Sequence, residues 1–105
     1  MQGAKEKAVK RNVAKTKPYV LRLYISGMSE RSVHAIANIN AICNDHLSGK
    51  VDLEIIDIYE NNFVAEQEQI IACPSLVKKW PLPRKTLIGD LSDKVKVLNV
   101  LGVLY

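Results

Sequence analysis

The chain has 105 residues, 48% of them apolar and 25% charged, with a formal net charge of +4. That length holds one domain with its own core and excludes two ordinary ones. No apolar run approaches the ~20 residues that cross a bilayer, and the first residues lack the apolar stretch of a signal peptide, so the sequence reads as cytoplasmic with no membrane partner.

The net charge is unevenly spread. Residues 1–17, "MQGAKEKAVKRNVAKTK", carry six Lys or Arg against one Glu, whereas residues 18–105 carry nine against ten. With almost no large apolar side chain to bury, the first segment is expected to be a basic, disordered extension, and residues 18–105 to form the domain. Cys43 and Cys73 form no CxxC pair and have no histidine cluster around them, so both are read as reduced core thiols, with no metal site and no cofactor.

Tyr19 to Ile25, "YVLRLYI", is rich in β-branched and aromatic residues between Lys17-Pro18 and Ser26-Gly27, and predicts a strand. Ser29 stands where an N-cap belongs and Glu30 follows in the first turn. Val33, Ile36, Ala37, Cys43 and Leu47 then recur at roughly helical spacing up to Ser48-Gly49, which predicts an amphipathic helix over residues 30–47. Val51 to Ile58, "VDLEIIDI", predicts a second strand, and strand, helix, strand at these lengths is a βαβ unit with parallel strands. Asn61 and Asn62 offer caps for a short helix through "FVAEQEQIIA". Ser75 to Trp80 and Arg84 to Gly89 predict two short strands around a Pro81-Leu82-Pro83 turn. Ser92 or Asp93 then caps a final helix running to Tyr105, with Val97, Leu98, Leu101 and Leu104 on one face. That last segment is divided in its preference, because it is rich in Val, a strand former, and holds Gly102, which weakens a helix interior by about 1 kcal/mol relative to Ala.

In order, the elements are βαβαββα with Pro74 directly before the third strand, the order of thioredoxin-like α/β domains, in which that proline is usually cis. An oxidoreductase of this class needs a nucleophilic cysteine at the N-terminus of the first helix, where the helix dipole lowers a thiol pKa. The residues there are "ISGMSERS", in which Ser26, Ser29 and Ser32 read as turn and capping residues. Cys73 beside Pro74 is the one thiol such an enzyme could use, and a thioredoxin-like oxidoreductase based on it is the alternative reading. His34 and His46 have no partner spacing that suggests a triad, and no P-loop or nucleic-acid motif is present, so catalysis is not supported and no nucleic-acid partner is expected.

The segments "YVLRLYISG", "SVHAIANI", "LEIIDIYEN", "AEQEQIIACPSLVKKWPLPRKTLIGDLSD" and "KVLNVLGVLY" together resemble the circadian clock KaiB family over essentially all of residues 19–105, with "IGDLSD" close to a family signature. The resemblance implies a non-enzymatic protein with two folds: a homotetrameric ground state and a monomeric thioredoxin-like form, the C-terminal half rearranging between them. It also implies a partner, a KaiC-type hexameric ATPase, in circadian timing or a related stress response. On this likeness Pro74, Pro81 and Pro83 are the fold-switch candidates, because slow X-Pro isomerisation can separate two folds kinetically. A basic face meets an acidic one in the family's partner recognition, which makes Lys78, Lys79, Arg84 and Lys85 the partner-binding candidates.

Overall fold

The computed structural model describes residues 17–60, 66–67, 70 and 72–103. Within them the chain forms β1 (Tyr19–Ile25), α1 (Glu30–His46), β2 (Val51–Asp57), β3 (Ser75–Trp80), β4 (Lys85–Ile88) and α2 (Lys94–Leu101). The sheet order is β2-β1-β3-β4, with β1 parallel to β2 and antiparallel to β3, and β3 antiparallel to β4. The expected parallel βαβ unit is therefore present, followed by the expected hairpin. Of the helix predicted through "FVAEQEQIIA", residues 63–72, Glu66 and Gln67 are helical and Ile70 and Ala72 are not, while the rest lies outside the described residues, as does the N-terminal extension apart from Lys17, whose Nζ donates to the Gly49 carbonyl at 3.4 Å. No helix among the described residues is long and apolar enough to cross a membrane.

Strand alternation sorts the side chains into two layers. Ile55, Leu23, Leu76 and Leu87 stand side by side across the four strands, and Leu21, Leu23, Ile25, Leu76 and Leu87 join the core. Against them pack Ala35, Ile39, Ile42 and Cys43 of α1 and Val97, Leu98 and Leu101 of α2, so both helices cover this one face. On the opposite face Tyr24 and Val77 are buried.

Local chemistry sets the helix ends. Ser29 accepts the backbone N–H of Ser32 at 3.2 Å and starts α1 as predicted. The buried stripe of α1 differs from the predicted one: Ala35, Ile39, Ile42 and Cys43 face the sheet, while Val33 and Ala37 face outward. The spacing i, i+4, i+7, i+8 gives a continuous apolar stripe along one side of the helix. Asp93 caps α2 by accepting the N–H of Lys96 at 3.2 Å. The expected run to Tyr105 is corrected, because α2 ends at Leu101. Gly102 adopts the left-handed conformation at φ 75°, and its N–H bonds back to Asn99 and Leu98, so it stops the helix instead of weakening its interior.

Candidate functional site

At the C-terminal ends of β1 and β2 lies the position where a thioredoxin-like enzyme would act. The Cys73–Pro74 peptide is cis, as expected of Pro74, and the Pro74 carbonyl accepts the N–H of Gly89 at 2.9 Å. Facing it, the β1–α1 loop is organised by Asp57, whose Oδ1 accepts the N–H of Gly27 at 3.1 Å and that of Tyr59 at 2.9 Å. Gly27 sits at φ 72° beneath the Tyr59 ring, and a Cβ there would come within 3.2 Å of it. Ser29 is spent as the α1 cap, so the helix N-terminus offers no nucleophile. Cys73 is half-buried, which corrects its reading as a core thiol, whereas Cys43 is buried in the core with its pKa pushed up to about 11 by burial. Burial, and then the Asp57 carboxylate, also hold the Cys73 thiol above its ordinary value. A reactive cysteine needs the opposite shift, toward the thiolate.

The basic candidates lie at the other end of the sheet, around the β3–β4 turn. Lys78 and Lys85 are partners across the ladder, on the layer that holds Leu21 and the helices. Lys78 is only 5% exposed, its stem lying along the core edge, and its ammonium pKa is lowered by burial and then by the charge of Lys85. Lys79 is half-buried, and Arg84 and Lys85 are exposed. Pro81 and Pro83 are exposed in the turn, each after a cis peptide bond, while Pro74 is buried. The structure thus gathers Lys78, Lys79, Arg84 and Lys85 at one sheet end with Pro81 and Pro83, and leaves Pro74 at the opposite end. Trp80 and Leu82, 49% and 64% exposed, complete the turn and were not singled out by sequence reasoning. The available signal was the chain's one tryptophan standing among prolines and lysines.

"IGDLSD" resolves into three devices. Asp90 shapes the turn, its Oδ1 accepting the N–H of Ser92 at 3.1 Å, and its carbonyl accepts Asn38 Nδ2 of α1 at 2.8 Å. Leu91 takes a left-handed φ of 65°, unfavourable for a bulky residue, and is held there with its side chain in the core. Asp93 caps α2. Hydrogen bonds from the Ser92 hydroxyl and N–H, and less strongly the charges of Arg31 and His34, hold the Asp90 carboxyl below the usual range. Ser92→Ala is therefore expected to raise the Asp90 titration midpoint toward an ordinary aspartate, read by carboxyl NMR. An unmoved midpoint would assign the shift elsewhere. Because the folded value is the depressed one, this contribution to stability is present above the unfolded pKa and is lost as pH falls through the folded one.

A further cluster, also missed from sequence, ties the edge strand β2 to β1. Arg22 is nearly buried. Its Nη1 donates to the carbonyls of Leu21 at 2.8 Å and Asp52 at 3.2 Å, its Nε lies 3.1 Å from Glu54 Oε1, and its Nη2 lies 3.6 Å from Asp52 Oδ2.

Comparison with known proteins places this geometry. A family model described as the KaiB domain matches residues 22–103. The chain is 48% identical over 84 residues to circadian clock protein KaiB3 of Synechocystis sp., covering 80% of this chain and 82% of that one. It is 43% identical over 89 residues to circadian clock oscillator protein KaiB of Cyanothece sp., covering 85% of each. Among solved structures, the thioredoxin Deadhead of Drosophila melanogaster superposes with a TM-score of 0.72 at 15% identity, over 92% of this chain and 90% of that one. The N-terminal domain of Synechococcus elongatus SasA gives 0.67 at 23% identity, over 82% and 85%. The structural likenesses establish a thioredoxin-like fold, and with the family model spanning β1 to α2 and relatives above 40% identity over most of their length, this chain belongs to the KaiB family.

Proposed function

We propose that this chain is a non-enzymatic clock-type regulator that binds a KaiC-type hexameric ATPase as a monomer in the fold described above and modulates its phosphorylation and ATPase cycle, in circadian timing or a related stress response in the cytoplasm. The observation that carries this is the β1–α1 loop: a thioredoxin-like scaffold whose helix N-terminus presents Ser29, already spent as a cap, in place of a thiol. The nearest cysteine, Cys73, is shifted away from the thiolate. With redox chemistry unsupported, the exposed chemistry left is a surface, and Lys79, Arg84 and Lys85, with Lys78 behind them adding positive potential, form a basic face suited to an acidic partner.

In this reading the free protein is a homotetramer whose C-terminal half is arranged differently, and Pro74, Pro81 and Pro83 belong to the segment that changes. The Val-rich α2 supports it, since a segment with divided local preference is one that tertiary context can place in either structure. The ATPase captures the monomer, and its apparent affinity is reduced by the fraction of chains in the competent fold. The test is size-exclusion chromatography with light scattering after hours of incubation with the same organism's KaiC-type ATPase. Monomers co-eluting with the hexamer are the expected result. Separate elution across the phosphorylation and nucleotide states of the ATPase would overturn the proposal.

A further inference from the structure

The β3–β4 turn joins two features that seldom share an exposed site. Trp80 and Leu82 are large apolar side chains left half exposed or more, and they stand between half-buried Lys79 and exposed Arg84 and Lys85. Trp80 pairs with Val20 across the ladder, on the layer turned away from α1 and α2, so neither of these two helices covers it. Pro81 and Pro83 flank Leu82, and each ring fixes its own φ, which lowers the ordering cost of holding this tip against a partner. Met28 and Tyr59 are also exposed, at 67% and 76%, but they lie at the opposite end of the sheet beside Asp57, which has the wrong sign for an acidic partner.

We infer that Trp80 and Leu82 are the desolvated anchor of the ATPase contact, seated in an apolar pocket on the partner's acidic surface, with Lys79, Arg84 and Lys85 as the charged rim around them. This rests on the ATPase reading above and divides its energetics. Buried aromatic anchors dominate the dissociation of protein complexes, while rim charges act through long-range, salt-screened attraction. A pocket with acidic walls suits the turn because it desolvates the indole and leucine while leaving the basic side chains at the solvated margin.

Binding of the full chain to the ATPase hexamer, preincubated for hours and measured at low and high salt, tests this. Trp80→Ala is expected to raise Kd about thirty-fold, with faster dissociation, by nearly the same factor at both salts. Dissociation is the informative quantity, because it is independent of the fold distribution of the free chain. Leu82→Ser, at a side chain 64% exposed in the turn, is expected to act in the same direction. An Arg84→Ala, Lys85→Ala double variant is expected to weaken binding at low salt and little at high salt. In a fluorotryptophan-labelled chain, the Trp80 fluorine signal should lose its sensitivity to a soluble paramagnetic agent in the complex. Binding of the wild type with Trp80→Ala and Leu82→Ser dissociating within twofold of it, or a Trp80 signal still sensitive in the complex, overturns the anchor alone. No binding by the wild type in any nucleotide state overturns the ATPase reading and the anchor with it.

Discussion

Leu23→Ala is expected to lower the unfolding free energy by about 2–5 kcal/mol. Leu23 is fully buried at the centre of the sheet, with Ile55 on one side, Leu76 on the other and the two helices above. Strand backbones on both sides are held by ladder hydrogen bonds, so the cavity left by the lost methyl groups cannot collapse, and the lost dispersion contacts add to the lost transfer free energy. For a domain whose total stability is on the order of 5–15 kcal/mol, that is a large share. Urea unfolding followed by circular dichroism should show a lower midpoint at unchanged slope. Val33→Ala serves as the contrast. Val33 carries the same apolar chemistry but faces outward from α1, and its truncation is expected to change stability by no more than ~0.5 kcal/mol. Equal losses at the two positions would contradict the packing described here.

Arg22→Ala is expected to cost about 2–4 kcal/mol. Two sources combine: the buried stem of the side chain, and the guanidinium's charge-assisted hydrogen bonds to two carbonyls with its ion pairs to two carboxylates. Arg22→Met separates them, since it keeps the apolar stem and removes the guanidinium. It is expected to recover about 1 kcal/mol of the loss and leave the rest. The carboxylates themselves contribute little, because Asp52 and Glu54 are partly exposed and can return to water, whereas the carbonyls of Leu21 and Asp52 lose their added donor inside the sheet. β2 is an edge strand, so its amides should exchange with solvent faster in both variants. If Arg22→Met restores wild-type stability, packing of the stem accounts for the whole effect and the tie between strands carries no energy.

Both residues show how far the sequence is legible. Leu23 stands in a strand recognisable from "YVLRLYI" alone, but nothing local tells that Leu23 lies at the centre of a four-stranded sheet. Arg22 interrupts that apolar strand, and its partner Asp52 lies 30 residues away, where "VDLE" shows only an alternation of apolar and acidic residues. At the two ends of the sheet, the missing cysteine of the β1–α1 loop and the proline before β3 on one side and the basic cluster of the turn on the other were all visible in order along the chain. The exposure of Trp80 and the burial of Lys78 were not, because both follow from register. A bulge between Val20 and Leu21 sets Lys78 opposite Leu21 on the helix-covered layer and Trp80 opposite Val20 on the other.

The sequence by itself determined what depends on neighbours within a few residues: the strands of the first half, the Ser29 cap, the hairpin turn, and the family, whose motifs are contiguous, while between Ser92 and Asp93 the structure chose Asp93 as the cap of α2. Tertiary structure decided what depends on distant partners. A Val-rich segment becomes α2 because Val97, Leu98 and Leu101 find the sheet, and the bend of "IGDLSD" holds because Asn38, 52 residues earlier, donates to the Asp90 carbonyl. Propensity and capping contribute about 1 kcal/mol or less per residue, whereas burying a leucine contributes about 2 kcal/mol, so where the two disagreed burial prevailed.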